Sequence, residues 1–361
     1  MFGAGAKKSK IQQKAGATGS IFKVIGKLGS QAGPANNNKV TGFKLYDLEV
    51  IGTSTGAHGV YMRSVVNCSV ENVHIRNCGG SGIFVARETF VSGVNDEYAY
   101  ALTFRTLKLV GNAQWGFENS GTAAIGADLY SVEAIGNGAG GFRVCPTNMN
   151  LYSCQAIGNG NGSINGRGLL AVAASNSTSV NSVLVLNSFR SETNSAAGGY
   201  EIEIQAGTGF ALVTPNFFPG VGVHCLGVGL TNGGAPSYVN SLTVIGGFFG
   251  VSSSASPTQK ALVLGPDSRN TTIINSRFNY NGGVTTPEAL ITDNGFRTSV
   301  LMNSNTRFMA GGPLGFTRAV TTMPPAIDGE GQLYLRDDGS GKHKLMYQFR
   351  TGAPVVVATE P

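Results

Sequence analysis

LYSVEAIGN at residues 129–137 returns as LYSCQAIGN at residues 151–159, with the short apolar strand GFRV from Gly141 between the two copies. Three earlier segments align with this pair: LYDLEVIGT from Leu45, VENVHIRNC from Val70 and FRTLKLVGN from Phe104. Together they define one template: apolar, polar or Tyr, small or polar, apolar, polar, apolar, variable, Gly or Asn. Each copy is followed by a Gly- and Asn-rich stretch and a second short strand: GVYM at Gly59, GIFV at Gly82, GFE at Gly116, GFRV at Gly141 and GLLAV at Gly168. The period of roughly 22 to 34 residues falls in the window of stacked-repeat architectures.

Alternation at period two, with Val, Ile, Tyr and Phe at the inward positions, makes the pieces strands and not helices. Gly and Asn suit the corners because both tolerate positive φ. Stacking puts like positions about 4.8 Å apart. One inner column is then Leu45, Val70, Phe104, Leu129 and Leu151, and a second is Leu48, Val73, Leu107, Val132 and Cys154. A leucine-rich repeat would need Leu-x-x-Leu-x-Leu followed by Asn or Cys, and a propeller would show four strands per repeat with tryptophan signatures. The sequence lacks the first pattern and has a single Trp, Trp115. The expected fold is all-β: a right-handed single-stranded parallel β-helix.

Composition agrees with one long core. Among 361 residues, 53 are Gly, 13% are charged and 41% hydrophobic, which separates the chain from disordered polyampholytes and membrane spans. The net charge of +6 comes largely from Lys7, Lys8, Lys10, Lys14, Lys23, Lys27 and Lys39, without the aromatic-interleaved basic surface of a nucleic-acid binder. Cys68, Cys78, Cys145, Cys154 and Cys225 are odd in number with no CxxC, so buried thiols are expected in place of disulfides or zinc. No run of signal-peptide or membrane-spanning length is found, and neither membrane insertion nor a cofactor is expected.

Both ends depart from the template. SIFKVIGKLG from Ser20 has an N-cap Ser, apolar residues at Ile21, Val24, Ile25 and Leu28 and a terminal Gly, which predicts a short helix capping the first coil, preceded by a flexible arm. Ala206–Ser237 fits no single coil and predicts an excursion, and Arg87–Tyr100, with Asp96 and Glu97, predicts an inserted loop. Near the C-terminus, GQLYLRDD and KHKLMYQF alternate around Asp338, Gly339, Ser340 and Gly341, a strong hairpin signal. The expected organisation is an arm and capping helix over 1–36, a β-helix body over 37–310 and a hairpin module over 311–361.

Chemistry is expected on two outward ladders. The first is Tyr46, Glu71, Arg105, Tyr130 and Tyr152; the second is Glu49, His74, Lys108, Glu133 and Gln155. Tyr46, Arg105, Tyr130, Tyr152 and Trp115 are the candidates for glycan contact, with Tyr130 and Tyr152 offering a flat aromatic surface. Glu49, Glu71, His74, Lys108 and Glu133 are the candidates for acid–base chemistry, since hydrolysis needs two facing carboxyls and elimination needs a base such as His or Lys. Glu118, Asp96 and Glu97 stand beside them. No metal is expected, because the calcium-loop spacing is missing around Asp337 and no Asp cluster is found. Opposite charges alternating on a solvated sheet would produce the same ladders without any activity. His58, His224 and His343 are read as ordinary surface or core residues.

The Gly/Asn-cornered coils and the ending GQLYLRDDGSGKHKLMYQFRTGAPVVVATEP resemble the pectate-lyase-like β-helix proteins of bacteriophage tails, the tailspikes and tail fibres. That resemblance implies a homotrimer on a virion, assembled in the host cytoplasm. It also implies attachment to other tail or baseplate proteins through the N-terminal arm, and contact with bacterial surface polysaccharide through the body. A polysaccharide depolymerase, hydrolase or lyase, and a purely structural appendage are the alternatives on the same fold.

Overall fold

The computed structural model describes residues 9–26, 39–86, 99–119, 125–160, 163–172, 183–205, 207–230, 239–251, 259–280, 291–294, 299–301, 332–337, 343–348 and 355–359. It is a parallel β-helix followed by a small antiparallel sheet. Among the described residues the body holds a 19-stranded and a 10-stranded sheet, and every strand pairs in parallel with its counterpart in the next coil. The smaller sheet takes one strand per coil, from Phe22–Ile25 to Ile291–Asp293.

The inner columns run as the repeat requires. Leu45, Val70, Phe104, Leu129 and Leu151 are paired in series and continue through Leu186, Leu212, Val244 and Ile273. All nine are 0% exposed, so the column is dry. Leu48, Val73, Leu107, Val132 and Cys154 are likewise buried, and all five cysteines are free and buried. Across the interior, Phe104 meets Phe117 edge-on at 5.1 Å and Phe142 meets Phe189 at 5.6 Å, joining the two sheets through aromatic contacts.

Each template copy turns at its third residue. Asp47, Asn72, Thr106, Ser131, Ser153, Ser188 and Thr214 all have φ between 47 and 58°, the left-handed region. That single residue lets Leu45 and Leu48, three apart, both point inward, which simple alternation forbids. Neighbouring rungs offset the local strain with side-chain bonds: Asn72 Nδ2 donates to Asp47 Oδ1 at 2.6 Å, and the Ser188 and Thr214 hydroxyls lie 3.1 Å apart.

The asparagine closing the template does something other than the expected positive-φ duty, which falls to Gly111, Gly136 and Gly158 just before it. Asn112, Asn137, Asn159 and Asn194 form a buried ladder in which each residue donates its backbone N–H and one side-chain N–H to the next Oδ1. The second amide hydrogen goes to a backbone carbonyl, of Leu109, Ala134 or Ala156, for the last three. Glu201 ends the series: its carboxylate accepts from Asn194 N at 3.0 Å, Asn194 Nδ2 at 2.7 Å and Ser191 Oγ at 2.8 Å. Glycines make room for this ladder. A Cβ on Gly116 would stand 3.0 Å from Asn137 Nδ2 and 2.8 Å from the Ala134 Cβ.

Three expectations are corrected. Phe22–Ile25 is a strand, not a capping helix: Phe22, Lys23, Val24 and Ile25 pair with Val60, Tyr61, Met62 and Arg63. β-Branched Ile21, Val24 and Ile25 beside Gly26 favour a strand, and the edge of the following coil offers a ladder that a helix could not use. The preceding residues are part of the same coil, with Lys10–Gln12 paired to Glu49–Ile51, so the body begins near Ser9 and not at residue 37. Gly207–Val213, Asn216–Phe218 and His224–Val228 form a regular coil where an excursion was expected; Phe210 and Leu212 continue the columns of Leu184 and Leu186. Of the loop expected over Arg87–Tyr100, residues 87–98, with Asp96 and Glu97, lie outside the described residues, and Ala99 and Tyr100 instead open the strand Ala99–Val110.

The C-terminal hairpin is present. Gln332–Asp337 pairs antiparallel with His343–Gln348, from Gln332 opposite Gln348 to Asp337 opposite His343. Val355–Thr359 adds a third antiparallel strand that the sequence reading did not include. No helix among the described residues is long and apolar enough to cross a membrane.

Candidate functional site

The register sets both outward ladders as the repeat implies: Tyr46, Glu71, Arg105, Tyr130 and Tyr152 are serial partners, and so are Glu49, His74, Lys108, Glu133 and Gln155. A groove of about 1210 Å³ runs beside the first ladder, over the strands that carry Lys44, Glu71, Arg105, Asp128 and Asn150. Tyr100 lines the same groove, with the Lys39 ammonium 4.6 Å from its ring centroid. Asn150 Nδ2 donates to Asp128 Oδ1 at 2.8 Å and orients that carboxylate.

Asp128 and Asn150 were not among the sequence candidates. They belong to a third ladder, Lys44, Ser69, Thr103, Asp128 and Asn150, one residue before the inner column. The template opened on the inward residue and so passed over its outward predecessor, which alternation alone would have flagged.

Tyr130 and Tyr152 stack on neighbouring coils, as their place in the ladder implies. The rings of Tyr130 and Tyr152 face each other at 5.0 Å and 10°, while the Arg105 guanidinium lies 5.1 Å over Tyr130 from the preceding coil. Both faces of Tyr130 are thus covered along the axis, by Tyr152 on one side and Arg105 on the other. Trp115 is 8% exposed, and its indole covers Gly140 of the next coil closely enough that a Cβ there would come within 2.2 Å of the ring. It presents no open face to a sugar. Glu118 sits under the same edge, accepting from Ser81 Oγ at 2.6 Å and from Arg143 Nη1 at 2.8 Å.

A smaller cavity of about 550 Å³ follows the second ladder and is lined by Glu49, His74, Lys108 and Glu133 together with Lys10 and Thr106. Glu49 is held by three neighbours: Arg76 Nε at 2.7 Å, Lys10 Nζ at 3.3 Å and His74 Nδ1 at 3.7 Å. The hydrogen bond from Arg76 is the main reason its carboxyl stays below the ordinary range, against the opposing effect of burial. A carboxylate so held is ionised and is no general acid. Burial pushes His74 down, and the Arg76 and Lys108 charges add to that, while the Glu49 carboxylate opposes it. His74 Nε2 is buried without a hydrogen-bond partner. Lys108 and Glu133 pair at 3.2 Å. Glu71 lines the larger groove, one rung from Arg105.

His58 and His224 each accept a backbone N–H on Nδ1, from Ser81 at 3.0 Å and from Lys260 at 2.9 Å, and burial pushes both below the ordinary imidazole value. Among the described residues, no three His, Cys, Asp or Glu side chains gather as a metal site would require.

No family model and no curated sequence matches the chain. Among solved structures it is similar to the A-module of the Azotobacter vinelandii mannuronan C-5 epimerase AlgE4, at 13% identity, over 86% of this chain and 81% of that one, with a TM-score of 0.59. It also matches the enzymatically active domain of tailspike protein 2 from bacteriophage CBA120, at 11% identity, over 94% of this chain and 55% of that one, with a TM-score of 0.47. At such identities what is shared is the fold, and the chain takes its place among the parallel β-helices.

Proposed function

We propose that this chain is a subunit of a bacteriophage tail spike or fibre that binds bacterial surface polysaccharide along the outer face of its β-helix. The observation that carries the reading is the groove of about 1210 Å³, in which Glu71, Arg105, Asp128 and Asn150 lie on neighbouring rungs of one sheet with Tyr100 beside them. Planar polar groups beside aromatic rings are what hydroxyl-rich sugar rings need, and a ladder repeating about every 4.8 Å matches an extended polymer. The phage setting rests on the resemblance of the coils and of the C-terminal segment. It includes a homotrimer assembled in the host cytoplasm and carried on the virion, with the N-terminal segment facing the tail. Support for association comes from the terminal sheet, where Val355, Val356 and Val357 are 51%, 49% and 56% exposed. A three-stranded sheet of this size gains little stability alone.

The test is an array of capsular and lipopolysaccharide glycans probed with the intact protein. Binding that is lost in an Asp128→Ala, Asn150→Ala double variant of unchanged thermal stability is expected. A trimer that binds no glycan would leave a purely structural appendage as the reading. A depolymerase is the second reading, favoured by His74, whose lowered basicity and partnerless Nε2 beside Lys108 suit a proton acceptor. New reducing ends or unsaturated sugars, absent in a His74→Ala variant, would establish it.

A further inference from the structure

Arg105 differs from the ion-paired cations of the outer surface. Lys10 and Arg76 hold Glu49, Lys108 holds Glu133, Arg143 holds Glu118, Arg167 holds Glu203 and Arg190 holds Glu192. Among the described residues Arg105 has no such carboxylate, although Glu71 occupies the adjacent rung of its own ladder. Its guanidinium instead lies over the Tyr130 ring, which is itself backed by Tyr152. The contact holds the guanidinium against the ring, and Arg105 is exposed at the wall of the larger groove, with its fork of N–H donors available to a partner. The other acid lining the groove, Asp128, accepts a hydrogen bond from Asn150. A planar, pre-oriented, unneutralised cation in an open groove is suited to a bidentate anion supplied from outside.

We propose that the groove takes an acidic glycan and that Arg105 receives a sugar carboxylate through two parallel N–H···O bonds. This rests on the glycan reading given above and names the substrate class. Lys39 and Lys44, on the same wall, bias the groove toward an anionic polymer, against Glu71 and Asp128.

The experiment is an array of bacterial polysaccharides sorted into uronate- or pyruvate-bearing, phosphate-bearing and neutral polymers, followed by titration of each bound polymer and its carboxyl-reduced derivative. Bound polymers should carry carboxylates, and reduction should weaken binding about ten- to a hundredfold, the worth of one charge-assisted bidentate contact. Arg105→Ala should cause a similar loss without changing the melting temperature. Arg105→Lys should restore only part, because charge returns without the stacked fork. Binding confined to neutral or phosphate-only polymers overturns the carboxylate assignment while leaving the glycan reading intact, as does equal affinity for a polymer and its reduced form. No binding to any polymer overturns both.

Discussion

Glu49 and Glu201 are both buried carboxyls, and their surroundings drive them in opposite directions. Arg76 and Lys10 hold Glu49 below the ordinary value of 4.5, so its contribution is complete above that pH and is lost as pH falls through the lowered value. Glu49→Gln should cost about 1–3 kcal/mol in urea unfolding at pH 7 and less in acid. Burial outweighs the hydrogen bonds at Glu201 and pushes it up, so the folded chain holds that proton more tightly than the unfolded one. Its contribution is complete below the unfolded value and falls away as pH rises through the raised one; in Glu201→Gln that part of the pH dependence should vanish from unfolding curves. Only one of these residues could be placed from sequence. Glu49 follows the ladder alternation, whereas YEIEI puts Glu201 and Glu203 in the same outward phase. Glu203 does face Arg167, but Glu201 sits where earlier coils carry glycine, and is 0% exposed. Nothing in local alternation distinguishes a carboxyl that ends a buried amide ladder from one that pairs with an arginine of the neighbouring coil.

At the level of the element, the asparagine ladder and the glycine column beside it form one device. Asn137→Ala would orphan the backbone and side-chain N–H of Asn112 and the Leu109 carbonyl together, and should cost roughly 3–5 kcal/mol in equilibrium unfolding, more than an isolated surface amide. Gly116→Ala meets the same ladder from the opposite side, and comparable destabilisation is expected there. A variant at either site with wild-type stability would show the ladder to be dispensable. The strands were legible because Leu, Val and Ile recur at fixed offsets from Leu45 to Ile273. The ladder was visible as letters but was assigned to corner conformation, since Gly and Asn often share that task. FKVI failed for a related reason: four residues satisfy both helical and strand spacing, and only the waiting edge of Val60–Arg63 decides between them.

For the whole molecule, the two ends are the informative regions. A chain ending at Met323 lacks all three terminal strands, and on the proposed trimeric assembly sedimentation or light scattering should record fewer chains per particle than for the full chain; an unchanged number would remove that sheet from assembly. Deleting residues 1–26 should not leave a stable body with its cap removed, as an arm would allow. It should bare the edge of Lys44–Ile51 and Val60–Arg63 and produce aggregation. The body was legible from its period and the terminal hairpin from its turn residues, whereas the groove required coordinates, because it arises between ladders and not along any one of them. The parallel stacking has a further consequence in time. Leu129 pairs with Leu151 and Leu151 with Leu186, so each sheet bond must wait for an entire turn of chain to close, and among the described strands of the body there is no hairpin to form first as a nucleus. Refolding from denaturant should accordingly be slow and prone to loss by clumping, while the finished rod, once wound, should unwind reluctantly.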